Sequence, residues 1–301
     1  MNKPAAVGLF KPAFPRPSLR LMLKIESVTE MRTYAAQLRA AGKTIGLVPT
    51  QGALHAGQET LIRAAAHKAD IVVVSIFVNP LQFPPNEIVA RYPRSLEADL
   101  ALCERSGAHV AFVPPLEDIY PKGFSTYVSE EHTGKPLDGV SRPTHFRGVT
   151  TLMVKLFNLV QPSFAFFGQK TAQRAAVVRK MTRDLGFDAE IVIVPTVRDS
   201  DGLAAGVKNR DLTSGQRLDA LAIHAALEKA KSMVANGVHS PDRIVAEATH
   251  ILGERRRIRV IYISIVDPNT MEPVRDVHTG KAMLAIAAWI DEVRLLDNVL
   301  L

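Results

Sequence analysis

The sequence contains a single cysteine, Cys103, in 301 residues. One thiol excludes an intrachain disulfide, so cysteine usage does not indicate an oxidising compartment, and we expect a cytoplasmic protein. The residues around Cys103 form a helix-like apolar run, which favours a buried small side chain over a reactive thiol. The sequence also lacks any run of about 18 apolar residues, which argues against a transmembrane helix.

Acidic residues are absent from the first 25 positions, where basic residues and prolines are frequent. The prolines interrupt any helix, and no continuous apolar stretch typical of a targeting peptide is present. We therefore predict that residues 1–22 form a disordered extension, with Met22 as an alternative start of the protein.

Basic residues exceed acidic ones and give a formal net charge of +7. Such a charge suits a nucleic acid, a membrane surface or an anionic small molecule. No basic run is interleaved with aromatic residues, and the densest basic cluster, at 255–257, leads directly into an apolar strand. We therefore expect neither a nucleic acid nor a membrane as partner, and favour an anionic small ligand.

Residues 23–196 alternate between strand-like and helix-like segments. This alternation predicts a Rossmann-like, doubly wound α/β sheet, in which ligands bind where the parallel strands end. The predicted strands are 44–48, 70–78, 109–113, 164–167 and 189–195. The predicted helices are one that begins near Gln58, then 95–107, 149–160 and 171–185. The chemistry is expected in four turns, after Val48, Phe77, Phe167 and Pro195.

The pattern changes at about residue 197. An alanine-rich amphipathic helix, a second helix and several apolar segments follow, which predicts a smaller α+β domain over 197–301. The predicted elements are helices 217–236 and 241–252, strands 258–266 and 292–296, and an apolar segment at 282–290.

The turn after the first predicted strand, residues 49–58, carries His55 between two glycines. Gly52 and Gly57 lack the Cβ that would keep a ligand away from the backbone. The helix that follows offers free N–H groups and a positive dipole end to an anion. This pattern favours a phosphate-binding turn, and an exposed turn with an incidental histidine is the alternative.

Polar residues also occur at three other predicted turns. Asn79 and Gln82 follow a buried strand, where carboxamides can bind a carboxylate and hydroxyls, although turn capping also explains an Asn-Pro pair. Arg142, His145 and a second arginine lie ahead of a helix, where they either bind a ligand or hold loop carbonyls. Lys170 follows another strand, where its ammonium group can meet a phosphate.

At these motifs the chain resembles a known family, the pantothenate synthetases or pantoate–β-alanine ligases. Four segments closely resemble sequences of that family along almost their whole length: VVVSIFVNPLQF, YPRSLEADLALCERSGAHVAFVP, SRPTHFRGV and VPTVRDSDGLA. The resemblance extends from about Ser27 to Leu296. It implies a Rossmann-like domain of the HIGH-type nucleotidyltransferase superfamily, a smaller C-terminal lid domain, and a homodimer.

The resemblance implies an ATP-dependent ligase that uses Mg²⁺ with the nucleotide. In such an enzyme the carboxylate of pantoate attacks the α-phosphorus of ATP, which gives pantoyl adenylate and pyrophosphate. The amine of β-alanine then displaces AMP. Positioning and charge stabilisation supply most of the rate in this chemistry.

The resemblance also implies roles for individual residues, and it assigns none of them as a metal ligand. The catalytic candidates are His55, which matches the first histidine of the family motif, and the phosphate-binding residues Lys170 and Lys208. Pantoate binding is assigned to Asn79, Gln82 and Arg174. Nucleotide binding is assigned to Thr50, Gly57, Gln58, Gly168, Lys170, Thr171, Val197 and Lys208.

Several matched positions depart from the family pattern. Gln58 replaces the second histidine of the motif, and Gln51 replaces a methionine. Thr171 replaces an aspartate that contacts the ribose, and Arg174 replaces a glutamine that helps to bind pantoate.

A further departure lies at Gly206, Val207 and Lys208, where the family has a Ser-Ser-Arg stretch that reaches the phosphates. Loss of one preorganised donor typically lowers a rate by roughly 10²–10³. One interpretation is a ligase with impaired turnover. The alternatives are a catalytically degenerate homologue that binds a small molecule or a partner protein, and a ligase with a different acid or amine.

Overall fold

The computed structural model describes residues 22–83 and 95–301. Except for Met22, the predicted extension lies outside these residues, as do the first three residues of the run that starts at Tyr92. Within the described ranges, no helix is long and apolar enough to cross a membrane.

Six strands form a parallel sheet, as the alternating pattern predicts. They are β1 (Leu23–Ile25), β2 (Ile45–Thr50), β3 (Ile71–Ile76), β4 (Val110–Phe112), β5 (Phe164–Gly168) and β6 (Glu190–Val194). Their order across the sheet is β1-β4-β3-β2-β5-β6. From β2 the chain moves outward through β3 to β4, and it then returns to place β5 and β6 on the other side of β2. The sheet is therefore doubly wound, with its switch point between β2 and β5.

Helices cover both faces of this sheet. They are α1 (Val28–Ala40), α2 (Ala56–Lys68), α3 (Leu96–Ser106), α4 (Leu116–Ile119), α5 (Asp138–Ser141), α6 (His145–Val160) and α7 (Ala172–Asp184). One core cluster joins α1, α6 and α7 to the sheet, and a second joins α2 and α3 to it. Cys103 lies fully buried in the second cluster, and burial raises the pKa of its thiol to about 12, which confirms the inert interpretation.

The C-terminal residues build a second, smaller layer. Two helices, α8 (Ser214–Ala235) and α9 (Pro241–Gly253), pack on three antiparallel strands, β7 (Ile258–Val266), β8 (Met283–Ile290) and β9 (Val293–Leu300). The α+β architecture is thus confirmed, and the apolar segment at 282–290 is a strand. The domain boundary at 196/197 stays a prediction.

Several local boundaries differ from the sequence prediction; helix α6, for example, begins at His145 and not at residue 149. Strand β2 continues through Pro49 to Thr50, because β5 pairs only with its earlier residues Gly46 and Leu47. The missing N–H of Pro49 therefore interrupts no hydrogen-bonded ladder on that side. Helix α2 begins at Ala56, ahead of Gln58, because His55 caps it. Strand β1 and helix α1 were not predicted.

A buried ion pair joins the two parts of the molecule. Asp138, at the start of α5, accepts hydrogen bonds of 2.8 Å from the guanidinium of Arg294 on β9 and from the hydroxyl of Tyr262 on β7. The charged side chains are only 11% and 9% exposed. Burial by itself raises the pKa of the Asp138 carboxyl, but the hydrogen bond and charge of Arg294 outweigh it and lower the pKa. Asp138 is therefore ionised, and its charge depends on Arg294.

Replacing Arg294→Met should lower the free energy of unfolding by about 3–5 kcal/mol, because it leaves a buried carboxylate without its cation. Urea unfolding followed by circular dichroism measures this change. Arg63→Met is the matched control, since Arg63 pairs with Glu59 on the surface of α2, where such pairs contribute less than about 1 kcal/mol. Equal effects of the two substitutions would contradict the role given to the buried pair.

Candidate active site

The turns after β2 and β5 lie side by side at the switch point of the sheet. Parallel neighbouring strands end at the same edge, so the turn that carries His55 and the turn that carries Lys170 face one crevice. The charge of Lys170 contributes to the lowered pKa of His55, which reflects this proximity. The structure thus brings together the two residues that the sequence singled out in separate motifs.

His55 is the N-cap of helix α2. Its Nδ1 accepts a hydrogen bond of 3.1 Å from the backbone N–H of Gly57, so Nδ1 carries no proton in this arrangement. Burial, and then the charges of Lys170 and Arg210, lower the imidazole pKa to about 4. At neutral pH His55 is therefore uncharged, with its proton on Nε2, where it can donate a hydrogen bond to an anion.

Two neighbours of His55 explain why its ring takes this position. A Cβ on Gly57 would lie 2.8 Å from His55 Cε1, so only glycine permits the imidazole to cover the helix N-terminus. The Oε1 of Gln58 accepts a hydrogen bond of 3.1 Å from the backbone N–H of His55, which completes a capping box. Gln58, which departs from the family pattern, thus stabilises the turn.

A buried carboxylate on α3 supports the same turn. Asp99 is 4% exposed, and its two oxygens accept hydrogen bonds from the backbone N–H groups of Ala53 (2.9 Å) and Leu54 (2.7 Å). These bonds satisfy two donors that the turn would otherwise bury unpaired. Sequence reasoning missed this residue, because an acid in the first turn of a helix is equally typical of a solvated helix end.

Lys170 lies in the 3₁₀ turn after β5 (Gln169–Thr171), and it is partly buried. The Nζ donates to the carbonyl oxygens of Ala204 (3.2 Å) and Ala205 (2.9 Å). Burial lowers the ammonium pKa to about 8, although the carboxylates of Asp297 and Asp199 partly oppose that shift. Lys170 is therefore a partly desolvated cation near neutral pH, suited to an anionic ligand.

The loop after β6 adds a cation that sequence reasoning did not select. Arg210 follows Lys208 in the 3₁₀ helix Val207–Asp211, and its charge lowers the pKa of His55. Arg210 therefore contributes positive charge near His55, and the tertiary fold brings these two distant residues together. Lys208 itself is exposed on the same short helix.

Asn79 is fully buried after β3 and is held by three hydrogen bonds. Its Nδ2 donates to the carbonyl of Gly148 (2.8 Å), and its Oδ1 accepts from the N–H of Leu81 (3.2 Å) and the hydroxyl of Tyr120 (3.0 Å). The capping alternative for Asn79 is therefore realised. Its carboxamide ties the turn after β3 to helix α6, which fixes the position of Gln82.

Gln82 is 6% exposed, and its side chain pairs with a residue on the neighbouring turn. Gln82 Oε1 accepts a 2.5 Å hydrogen bond from Gln51 Nε2. The backbone carbonyl of Gln82 accepts from Arg142 (2.9 Å) and faces Nδ1 of His145 at 3.1 Å. Arg142 and His145 thus hold a loop carbonyl, as one of the two sequence interpretations predicts.

A cavity with both polar and apolar lining residues adjoins Lys170 and is shared between the two parts of the chain. Arg174 lies in its wall, close enough to His145 for its charge to lower the pKa of that imidazole. Further lining residues are Asp138, Arg142, Tyr262, Asp297 and Asn298. Both acidic lining residues are paired with arginines, Asp138 with Arg294 and Asp297 with Arg198.

The remaining predicted residues lie on the backbone that frames the crevice. Thr50 donates from its hydroxyl to the carbonyl of Ser75 (2.8 Å), and Thr171 donates to that of Gly168 (3.3 Å). A Cβ on Gly168 would meet no atom within 4 Å, so open space adjoins it. The carbonyl of Val197 accepts from the N–H of Ala205 (2.8 Å), which shapes the loop under Lys170. Ligand contacts for these residues stay predictions.

These features define a Rossmann-like α/β protein with a cationic crevice at its switch point and a smaller antiparallel layer beside it. The model of the pantoate-beta-alanine ligase family matches residues 23–300. The chain therefore belongs to the pantoate–β-alanine ligase family.

Individual relatives agree with this assignment. The chain is 45% identical to the pantothenate synthetase of Thermotoga neapolitana, over 92% of this chain and 99% of that one. The crystal structure of pantothenate synthetase from Thermus thermophilus superposes with a TM-score of 0.87 at 39% identity, covering 92% and 99% of the two chains. Pantoate-beta-alanine ligase from Francisella tularensis, solved with β,γ ATP and β-alanine, gives a TM-score of 0.73 at 27% identity, covering 93% and 98%.

The burial of His145 should make the free energy of unfolding depend on pH. His145 is 5% exposed, and burial, with the charges of Arg142 and Arg174, lowers its pKa to about 3. Below pH 6.5 the unfolded chain takes up a proton that the folded chain excludes, so the free energy of unfolding falls as the pH falls. Replacing His145→Asn should reduce this slope between pH 6 and pH 5 by about 1.4 kcal/mol per pH unit.

Urea unfolding at several pH values measures the slope. His132→Asn, at an exposed histidine, is the control and should keep the slope of the parent. An unchanged slope in His145→Asn would show that the buried imidazole is charged in the folded state.

Proposed function

We propose that the protein condenses pantoate with β-alanine to form pantothenate, using ATP and a pantoyl-adenylate intermediate. Family membership supports ligation of these two substrates. The main support for the use of ATP is the placement of an uncharged donor, His55, and a cation, Lys170, on the two turns that flank the switch point. A relative of the same fold was solved with a nucleotide and β-alanine, which agrees with this use.

In the proposed first step, a pantoate carboxylate oxygen attacks the α-phosphorus of ATP, and the bond to the bridging oxygen breaks to release pyrophosphate. Negative charge moves onto the phosphate oxygens in the transition state. His55 donates a hydrogen bond from Nε2 without a change of charge, and Lys170 supplies a positive charge. Both groups are positioned before the reaction, His55 by its cap and Lys170 by two carbonyls.

In the proposed second step, the neutral amine of β-alanine attacks the carbonyl carbon of the adenylate. The bond to the phosphate oxygen breaks, AMP leaves, and the nitrogen loses a proton. The carboxamide of Gln82 and the guanidinium of Arg174 are proposed to hold the pantoyl group. Arg174 lines the cavity next to Lys170, and the backbone carbonyl of Gln82 contacts two other lining residues, Arg142 and His145. Asn79 is proposed to contribute through the turn that it fixes.

Mg²⁺ is proposed to enter with the nucleotide. Among residues 22–83 and 95–301, no three His, Cys, Asp or Glu side chains form a metal-binding group. Mg²⁺ in nucleotide sites usually takes its ligands from phosphates and water with one or two carboxylates, so no dedicated protein cage is required. The carboxylates of Asp199 and Asp297 near Lys170 are paired with Arg217 and Arg198, which fits an ion held mainly by the phosphates. When bound, the ion would neutralise charge on the leaving pyrophosphate.

We also propose that the protein is a homodimer, as its resemblance to the family implies, and that it is cytoplasmic, as expected from its single cysteine. Light scattering of the purified chain would measure its mass relative to the 32.9 kDa monomer.

Lys170→Met should lower pantoate-dependent pyrophosphate release by roughly 10²–10³ in kcat, because the developing phosphate charge loses a positioned cation. Release of pyrophosphate and AMP from Mg·ATP, pantoate and β-alanine measures this activity. Lys229→Met is the control, since Lys229 is half exposed on α8 and pairs with Glu247.

The same assay separates the proposal from its alternatives. Binding of ATP with no pyrophosphate release would favour a catalytically degenerate homologue. Release that requires a different carboxylic acid would favour a changed substrate. Pantoate-dependent release that Lys170→Met leaves intact would remove Lys170 from the mechanism.

Gln51→Met should raise KM for pantoate by about fivefold with little change in KM for ATP. Gln51 holds Gln82 Oε1, and loss of one hydrogen bond of about 1 kcal/mol has an effect of this size. Steady-state kinetics with each substrate varied in turn make the measurement. Gln37→Met, at an exposed position on α1, is the control. An equal rise in the KM values for pantoate and ATP would mean that the hydrogen bond between Gln51 and Gln82 supports the whole crevice and has no selective effect on pantoate binding.

A further inference from the structure

The backbone of residues 204–206 lies directly against the end of the Lys170 side chain. The ammonium group contacts two carbonyls of this segment. If residue 206 carried a Cβ atom, that atom would lie 2.5 Å from Lys170 Nζ and 3.8 Å from Cε. Non-bonded atoms do not approach to 2.5 Å, so any side chain at this position would force the ammonium group away. The position of Lys170 therefore requires glycine at residue 206.

We propose that Gly206 is a positioning residue for Lys170: because it has no side chain, the ammonium group rests on the carbonyls of Ala204 and Ala205 and keeps its third N–H for a phosphate. This inference rests on the proposed nucleotide-binding role of Lys170. An ammonium on a four-carbon stem is otherwise mobile, and two fixed acceptors remove most of that freedom before the ligand arrives.

The acceptors themselves are fixed by their surroundings. Asn209 donates from Nδ2 to the carbonyl of Ala204 (3.0 Å) and from its backbone N–H to that of Gly206 (3.0 Å). At the other end, Asn298 on β9 donates from Nδ2 to the backbone carbonyl of Lys170 (3.0 Å). Both the backbone of Lys170 and the carbonyl of Ala204 are therefore anchored.

The charged and titratable groups facing Lys170 come from three sides. Asp297 on β9 and Asp199 in the loop after β6 favour the charged ammonium, Arg198 opposes it, and His55 faces it from α2. Burial has the largest effect and lowers the pKa to about 8. Displacement of the ammonium toward solvent would relieve this burial and raise the pKa. The position of Lys170 is thus measurable without any enzymatic reaction.

The experiment compares Gly206→Ala, Lys170→Met, the double variant and the parent. Gly253→Ala is the matched control, because a Cβ there meets no atom within 4 Å and the residue is at the end of α9. Calorimetry at pH 7 gives the Kd for Mg·ATP. Acylation of amines between pH 6.5 and pH 10, followed by mass spectrometry of the peptide that contains Lys170, gives the pH midpoint of its reactivity.

We expect Gly206→Ala to raise the Kd for Mg·ATP about tenfold, because one ionic hydrogen bond loses its preorganisation. The labelling midpoint of Lys170 should move upward from about 8. In the Lys170→Met background the same substitution should change Kd less than about twofold, since its effect acts through the lysine. Gly253→Ala should behave as the parent. Asn209→Ala removes the hydrogen bond that holds the carbonyl of Ala204, so it should also shift the labelling midpoint of Lys170 upward. This variant replaces Gly206→Ala in the experiment if Gly206→Ala does not fold.

An unchanged labelling midpoint in the folded variants would overturn the proposal, because Lys170 would not have moved. Tighter binding of Mg·ATP by Gly206→Ala would also overturn it, because the carbonyls would then compete with the phosphate for the lysine. A parent that does not bind Mg·ATP would reject the nucleotide role in the proposed function, while the labelling result would still decide where Gly206 places Lys170.

Discussion

The site depends on the adjacency of β2 and β5 in a sheet where the chain leaves these strands in opposite directions. Parallel strands end at one edge, and at a switch point no crossover helix covers the space between their ends. The turn with His55 and the turn with Lys170 must therefore border the same crevice, although 115 positions separate the two residues along the chain. The helix dipole of α2, the partly desolvated Lys170 and the cation Arg210 in the loop after β6 all act on that one space.

Two of the residues at which this chain departs from its family form hydrogen bonds with residues that match the family pattern. Gln58 closes the cap of α2, and Gln51 pairs with Gln82. Gly206 makes room for Lys170. Both glutamines are therefore bonded, so these two departures leave their amides satisfied.

The sequence predicted five of the six strands of the parallel sheet, and it placed the candidate site at their carboxyl ends, because both inferences follow from local patterns. Buried parallel strands appear as apolar runs, and polar residues directly after them are placed at the ligand edge by topology alone. Asp99 could not be predicted in this way, because its partners, Ala53 and Leu54, are remote along the chain. The influence of Arg210 on His55 likewise depends on how a loop folds back. Contacts between distant segments are fixed by packing, which no local pattern encodes.

The cavity beside Lys170 has walls from both layers of the molecule, since Arg174 comes from α7 and Asn298 from β9. The ion pair of Asp138 with Arg294 forms part of the same junction. Neither layer can assemble this cavity alone, so whatever fills it binds only while the two layers stay together. By thermodynamic linkage, any occupant of the cavity and the junction between the layers stabilise each other.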